Sequence, residues 1–271
     1  MSIKNRFDLV IFDWAGTMID FGCQAPVIAL IEAFASEGVA IDEAAARRDM
    51  GMAKSDHVRN LLRVPSIAAA WNARHGTPPD DRAVAVLISR LEPLMREQAA
   101  RASTLIPGAR ECFDRLRADG LRVASSTGYT RSMMEGVLPR AAEQGYVPEH
   151  LVCSGETPAG RPSPLMIYKA CAELGVWPLS RVVKVDDAEA GIAEGRAAGA
   201  FTVGVASGNL IGLSLPAFQA LPAFERERRI ATARTALLAA GADLAIGSVA
   251  DLHPALEGAA AQGQAQAQTQ A

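Results

Sequence analysis

No stretch of the sequence approaches the roughly 18 uninterrupted apolar residues that a membrane span needs. Nor is there a C-x-x-C pair among the four cysteines, Cys23, Cys112, Cys153 and Cys171. These absences argue against a membrane anchor, a zinc site and a disulfide framework. A surplus of one charge sign is missing too: 30 acidic residues stand against 27 basic ones, a formal net charge of -3. That balance gives no overall electrostatic case for nucleic acid, although a local patch can still hold a small anion. The N-terminus, Met-Ser-Ile-Lys-Asn-Arg, leads into a strand-like run holding Asp8 and Asp13, unlike a signal peptide. The expectation is a soluble, cytoplasmic protein with neither a nucleic-acid nor a membrane partner. What is present is ordinary globular material: 271 residues, 49% apolar and 21% charged, enough for one large or two modest domains.

Short aliphatic runs alternate with longer Ala-rich helical patterns. Strands are expected at Asp8–Phe12, Arg122–Ser126, Leu151–Cys153, Val182–Val185, Thr202–Val205 and Asp243–Ile246. Helical patterns over Ala109–Asp119, Arg131–Gln144 and Leu165–Leu174 each end at a glycine, the residue favoured just past a helix end. Near-continuous apolar strands alternating with helices imply an α/β fold whose parallel sheet is covered on both faces. Ligands of such sheets gather beyond the carboxyl ends of the strands, here just after Phe12, Ser126, Cys153 and Val185.

One connection is far too long. A βαβ crossover needs about a dozen residues, yet the chain from Phe12 to Arg122 carries a series of helical patterns, beginning with a first-turn Pro26. Further helices are expected over Asp42–Arg48, Ser55–Arg63, Ile67–Arg74 and Asp81–Ala100. The organisation expected is a core of residues 1–20 and 104–257 with an all-helical cap inserted at 21–103. The Ala/Gln-rich tail, 258–271, lacks a sustained apolar face and is expected to be disordered.

The strand ends carry complementary chemistry. In Asp8-Leu-Val-Ile-Phe-Asp13-Trp-Ala-Gly-Thr17 a carboxylate stands at the tip of a buried strand, suited either to nucleophilic attack or to capping a turn. Ser125-Ser-Thr127-Gly-Tyr129 offers hydroxyls and turn amides to a phosphate, and Gly160-Arg161-Pro offers a cation for phosphoryl oxygens. Lys184-Val-Asp186-Asp187 brings paired carboxylates suited to Mg²⁺, a hard cation that prefers oxygen ligands. Each motif alone is weak. Four complementary loops at successive strand ends point to a phosphoryl-transfer site.

In this order the motifs resemble those of the haloacid dehalogenase superfamily: nucleophilic Asp, Thr/Ser, Lys/Arg, then an acidic pair. The resemblance implies a Rossmann-like core with a helical cap inserted after the first strand. It also implies an aspartyl-phosphate on Asp13, and Mg²⁺ held by Asp13, the Ala15 carbonyl and an Asp of the fourth motif. Asp187 matches the family's metal-binding Asp. Asp186 replaces a common Gly and is expected in the outer shell, the order within the pair staying open. Gly191 stands where a second Asp often lies.

Ala15 is the telling departure, because most phosphatases of the superfamily carry a second, proton-transferring Asp there. A leaving group that needs no such proton would explain it. Met50-Gly-Met-Ala-Lys54-Ser-Asp-His57 supplies a lysine in a loop entering a helix, and a lysine amine can condense with an aldehyde. Together with Phe21-Gly-Cys23-Gln-Ala-Pro26 and Ser126-Thr127-Gly-Tyr129-Thr, these motifs resemble the phosphonoacetaldehyde hydrolase family, the phosphonatases, from about Phe7 to Gly208. The resemblance implies hydrolysis of phosphonoacetaldehyde to acetaldehyde and phosphate, in degradation of 2-aminoethylphosphonate. Asp13 is then the nucleophile, Lys54 the Schiff-base residue, and His57 a proton relay or a packing group. Thr127, Gly128 and Arg161 hold the phosphoryl group. Met50, Cys23 and Tyr129 line the substrate pocket or its wall. A homodimer through the cap is implied as well. A phosphate-monoester phosphatase and a non-catalytic phosphate-binding protein are the rival readings.

Overall fold

Residues 3–269 are described by a computed structural model, 263–269 by their backbone alone. Strand β1 (Leu9–Phe12) is followed by five helices in succession: α1 (Ala25–Ser36), α2 (Glu43–Arg48), α3 (Lys54–Leu62), α4 (Pro65–His75) and α5 (Asp81–Arg101). Then come α6 (Ala109–Ala118), β2 (Arg122–Thr127), α7 (Arg131–Met134), α8 (Val137–Glu143), β3 (His150–Cys153) and α9 (Leu165–Leu174). The chain continues through β4 (Val182–Asp186), α10 (Glu189–Ala198), β5 (Phe201–Val205), α11 (Leu215–Gln219), α12 (Ala223–Ala239), β6 (Leu244–Ile246) and α13 (Leu252–Thr269).

The six strands form one parallel sheet in the order β3-β2-β1-β4-β5-β6. This is the Rossmann-like arrangement, whose order reverses between β1 and β4 and opens a crevice beyond their carboxyl ends. Every residue of β1 is buried because side chains of a central strand alternate between two covered faces. Val10 and Phe12 join the larger core with Phe113, Leu116, Leu252 and Leu256, whereas Leu9 and Ile11 pack with Met166, Ile167 and Ala170 of α9. Each such aliphatic side chain contributes about 1.5–3 kcal/mol by leaving water. The backbone ladder runs one step past the strand, where the Asp13 amide donates to the Val185 carbonyl at 2.9 Å. That bond fixes the residue at the tip.

Between β1 and β2 the described chain is helical apart from its two ends, which run beside each other. The Ile106 amide donates to Met18 O at 2.8 Å and the Asp20 amide to Thr104 O at 3.3 Å. The buried Asp20 carboxylate then accepts the amides of Gln24 and Ala25 at 3.0 and 2.9 Å, satisfying donors at the start of α1 that the helix leaves open. Asp42 and Asp80 do the same for α2 and α5. The inserted helices pack mainly on one another, α1 against α5 and α3 against both α4 and α5.

Two expectations need correction. The pattern over Arg131–Gln144 is not one helix: α7 and α8 separate at Glu135-Gly136. Pro139 has no amide to donate to residue 135, and a Cβ at Gly136 would stand 2.9 Å from Ala100 Cβ of α5. The tail expected to be disordered from residue 258 instead continues α13 to Thr269, with Ala259 and Ala260 buried. Ala and Gln are good helix formers, so composition alone misjudged this segment. Residues 270 and 271 of that expected tail lie outside the described residues.

Candidate active site

The crevice between β1 and β4 gathers the chemistry. Asp13, at the tip of β1, is buried, and its Oδ1 lies 2.8 Å from Arg161 Nη1. Burial and the neighbouring Asp186 charge push the Asp13 carboxyl up to about 6, against the pull of Arg161 and Lys184. The next turn holds Gly16 at φ 85°, where a Cβ would overlap the Asp187 carboxylate. Only a glycine lets the chain pass that close.

Asp186 and Asp187 lie in unlike surroundings. Asp186 Oδ2 is 2.9 Å from Lys184 Nζ and 3.2 Å from Arg161 Nη1, while Oδ1 accepts the Ala188 amide at 3.1 Å. Burial opposes its ionisation, but these two cations prevail and hold its carboxyl below the ordinary range. Asp187 accepts the Asn209 amide at 2.6 Å and the Thr17 hydroxyl at 3.3 Å. Burial, with the charges of Asp13 and Asp186, pushes its carboxyl well above the ordinary range. Asp186 also fills the space beside Gly191, where a Cβ would overlap its carboxylate.

These three buried carboxylates offer oxygens within 4.8 Å of one another. Hard, convergent oxygen donors from three buried carboxylates fit a divalent cation.

Asp13, Ala15, Cys23, Pro26, Met50, Gly51, Lys54, Thr127, Gly128, Tyr129, Asp187 and Ala188 line one cavity of ≈ 20 Å³, room for about one water. Nine of the residues given a site role from sequence are thus brought together, Pro26 and Gly51 having stood only within the quoted motifs, Pro26 also as a helix start. Arg161, Asp186 and His57 stand behind the wall rather than on it. Lys54 opens α3 and is buried, its Nζ 5.7 Å from the centre of the Tyr129 ring. Burial, aided by the Arg161 charge, lowers its pKa from 10.5, although Cys23 and Asp13 work the other way. His57, one turn on, is pushed down to about 3 by burial and by the charges of Lys54 and Arg48. It is therefore a neutral imidazole. Burial raises the Cys23 thiol and the Tyr129 phenol well above their usual values, so both are neutral hydrogen-bonding groups. Thr127 Oγ1 accepts the Tyr129 amide at 3.1 Å, which leaves its hydroxyl proton for another acceptor.

Three groups that sequence reasoning left unassigned complete the site. Lys184 is buried inside β4, Glu194 is buried on α10, and Asn209 ties Asp187 to α2 through its Nδ2, which lies 3.3 Å from Arg47 O. A lysine in the run Val182-Val-Lys-Val-Asp186 was a visible signal, since a central strand gives a charge no exit to solvent.

The fold and its site together define a haloacid dehalogenase-like hydrolase, and the chain matches that family over residues 7–199. It is 45% identical over 246 residues to a phosphonoacetaldehyde hydrolase of Paraburkholderia phytofirmans, covering 90% of this chain and 92% of the relative. It is 38% identical over 253 residues to one of Bacillus cereus, covering 93% and 96%. A crystal structure of a phosphonoacetaldehyde hydrolase-like protein from Oleispira antarctica superposes with a TM-score of 0.91 at 41% identity, covering 93% of this chain and 92% of that one. The chain belongs to the phosphonoacetaldehyde hydrolase family and is an enzyme, a hydrolase. Among the described residues no helix is long and apolar enough to cross a membrane.

Proposed function

We propose that this enzyme hydrolyses the C–P bond of phosphonoacetaldehyde, giving acetaldehyde and phosphate, in the degradation of 2-aminoethylphosphonate. The observation that carries the proposal is a single cavity wall shared by Asp13, Ala15 and the buried, pKa-lowered Lys54. A carboxylate and an amine whose cation is disfavoured by burial line the same small space. A methyl group stands where an acid would serve an ester's leaving oxygen.

The Lys54 amine adds to the aldehyde carbon, water leaves, and the imine nitrogen takes up one proton from solvent, giving a protonated imine. The Asp13 carboxylate attacks phosphorus as the C–P bond breaks, and that electron pair moves into the imine. An enamine remains on Lys54 and a phosphoryl group on Asp13. Water cleaves the acyl phosphate to release phosphate. Protonation of the enamine carbon and hydrolysis of the imine release acetaldehyde and restore the amine. His57, one turn along α3 from Lys54, is the residue we assign to relay those protons. The Thr127 hydroxyl and the Gly128 turn hold phosphoryl oxygens, and the buried Arg161 charge balances them from behind. Met50, Cys23 and Tyr129 wall the two-carbon aldehyde arm. A divalent cation, Mg²⁺ in this proposal, held by Asp13, the Ala15 carbonyl and Asp187 with Asp186 behind them, would supply positive charge to the phosphoryl oxygens.

Lys54 of the inserted helical segment and Asp13 of the core line the same narrow cavity. The inserted helices, residues 21–103, therefore act as a cap that opens for entry and closes to exclude water. Ile28 on α1 and Val86 on α5 expose apolar surface on that cap, consistent with a cytoplasmic homodimer joined there. Borohydride reduction in the presence of phosphonoacetaldehyde tests the covalent step. An adduct mapped to Lys54 in wild type and in Asp13→Ala, and absent from Lys54→Arg, is expected. A folded, substrate-binding Asp13→Ala variant that traps nothing would overturn the order of steps.

A further inference from the structure

Glu194 has no part in the chemistry above, yet it is fully buried on α10 directly behind the site. Its Oε2 lies 2.9 Å from Arg161 Nε, 3.4 Å from Lys184 Nζ and 3.4 Å from Ser126 Oγ. The other faces of Arg161 are also occupied. Nη2 donates to Ser126 O at 2.7 Å and to Ser126 Oγ at 3.1 Å, while Nη1 faces Asp13 and Asp186. Lys184 is similarly held, donating to Ser126 Oγ at 3.0 Å. Both cations are thus fixed at the back of the phosphoryl site, on the side away from the cavity. A buried carboxylate is costly unless paired, so one that touches both cations at once has a strong claim to a role.

We infer that Glu194 is a positioning residue that orients Arg161 through Nε and offsets one of the two buried positive charges, setting how tightly the site holds its phosphate product. The inference rests on the phosphoryl-transfer reading. Were Glu194 absent, Arg161 and Lys184 would present more positive charge to an anion, and Arg161 would lose the contact that fixes its plane. Two opposite effects follow: tighter phosphate and poorer chemistry. A residue that merely packs α10 onto the sheet would, on removal, loosen the site and weaken phosphate.

The test is isothermal titration of inorganic phosphate into the full-length protein with Mg²⁺ present, for wild type and Glu194→Gln. The expected result is phosphate bound about fivefold more tightly by the variant, as suits one like charge removed near an anion. A lower kcat with phosphonoacetaldehyde should accompany it. Phosphate bound equally or more weakly by a folded Glu194→Gln would overturn the inference. Absence of phosphate binding by wild type would instead overturn the phosphoryl-transfer reading beneath it. Should Glu194→Gln not fold, the double variant Lys184→Met/Glu194→Gln keeps the net charge and replaces both partners of a buried pair. Its phosphate affinity is expected within about twofold of wild type. A tenfold or greater loss there would count against the charge-offset role.

Discussion

Gly128 of the core and Gly51 of the inserted helical segment meet main chain to main chain: a Cβ at 128 would stand 2.9 Å from the carbonyl oxygens of Gly51 and Met52. Both glycines line the cavity that holds Asp13 and Lys54. Their contact seats the inserted helical segment at the end of the strand that carries Thr127, beside the cavity lined by Asp13 and Lys54.

A methyl group at Gly128 is accordingly a wedge. Gly128→Ala is expected to lower kcat/KM for phosphonoacetaldehyde on the order of 10–100-fold, the usual cost of misplacing reacting groups by about 1 Å. Mg²⁺ affinity in the absence of substrate should stay within about twofold of wild type, because the carboxylates lie across the crevice. Steady-state kinetics and calorimetric Mg²⁺ titration check the pair of outcomes.

Lys54 gives a pH signature. Its cation is disfavoured in the folded protein by burial first and by Arg161 second, so the neutral amine grows in as pH rises through a value below 10.5. The rate of borohydride trapping should rise with that midpoint. An unfolded chain keeps this proton until about 10.4, so it binds more protons than the folded one between the two values. Stability contributed by Lys54 therefore rises with pH in that window. Urea denaturation of wild type and Lys54→Met should show wild type gaining on the variant as pH increases.

Asp186 and Gly191 compete for one volume, since a Cβ at 191 would overlap the Asp186 carboxylate. Gly191→Ala should cost about 1–3 kcal/mol of stability through overpacking. In an Asp186→Gly background the added cost of Gly191→Ala should fall, the non-additivity expected of neighbours. A thermal-denaturation double-mutant cycle measures the coupling.

Asp20 anchors the start of the inserted segment by accepting the Gln24 and Ala25 amides from a backbone at φ 57°. Asp20→Ala is expected to cost about 0.5–2 kcal/mol, whereas Asp20→Asn, which keeps an acceptor and tolerates that backbone, should cost less. Urea denaturation separates the two.

Where the sequence was readable, local physics was enough. Asp13 stands out because an apolar run ends on a charge, and the insertion stands out because the chain from Phe12 to Arg122 carries a series of helical patterns where a crossover needs about a dozen residues. What escaped was information held in tertiary partners. On the page of residues Glu194 looks like the solvated face of α10, and only the fold brings Arg161 and Lys184 to it. Arg161 was foreseen at the site, but not with its guanidinium turned toward Asp13, Asp186 and Glu194 behind the cavity wall. The tail failed for a different reason. The lack of a sustained apolar face was weighed as disorder, while the helix propensity of its alanines and the burial of Ala259 and Ala260 favour continuing α13.

The central claim is C–P cleavage through Lys54, and one assay addresses it directly. Purified enzyme is mixed with phosphonoacetaldehyde and Mg²⁺, acetaldehyde is followed through alcohol dehydrogenase and NADH loss, and phosphate is counted in parallel. Equal release of the two products by wild type, and of neither by folded Lys54→Arg, is the expected result. Turnover by Lys54→Arg at the wild-type rate, or phosphate released from simple esters without any acetaldehyde, would contradict it.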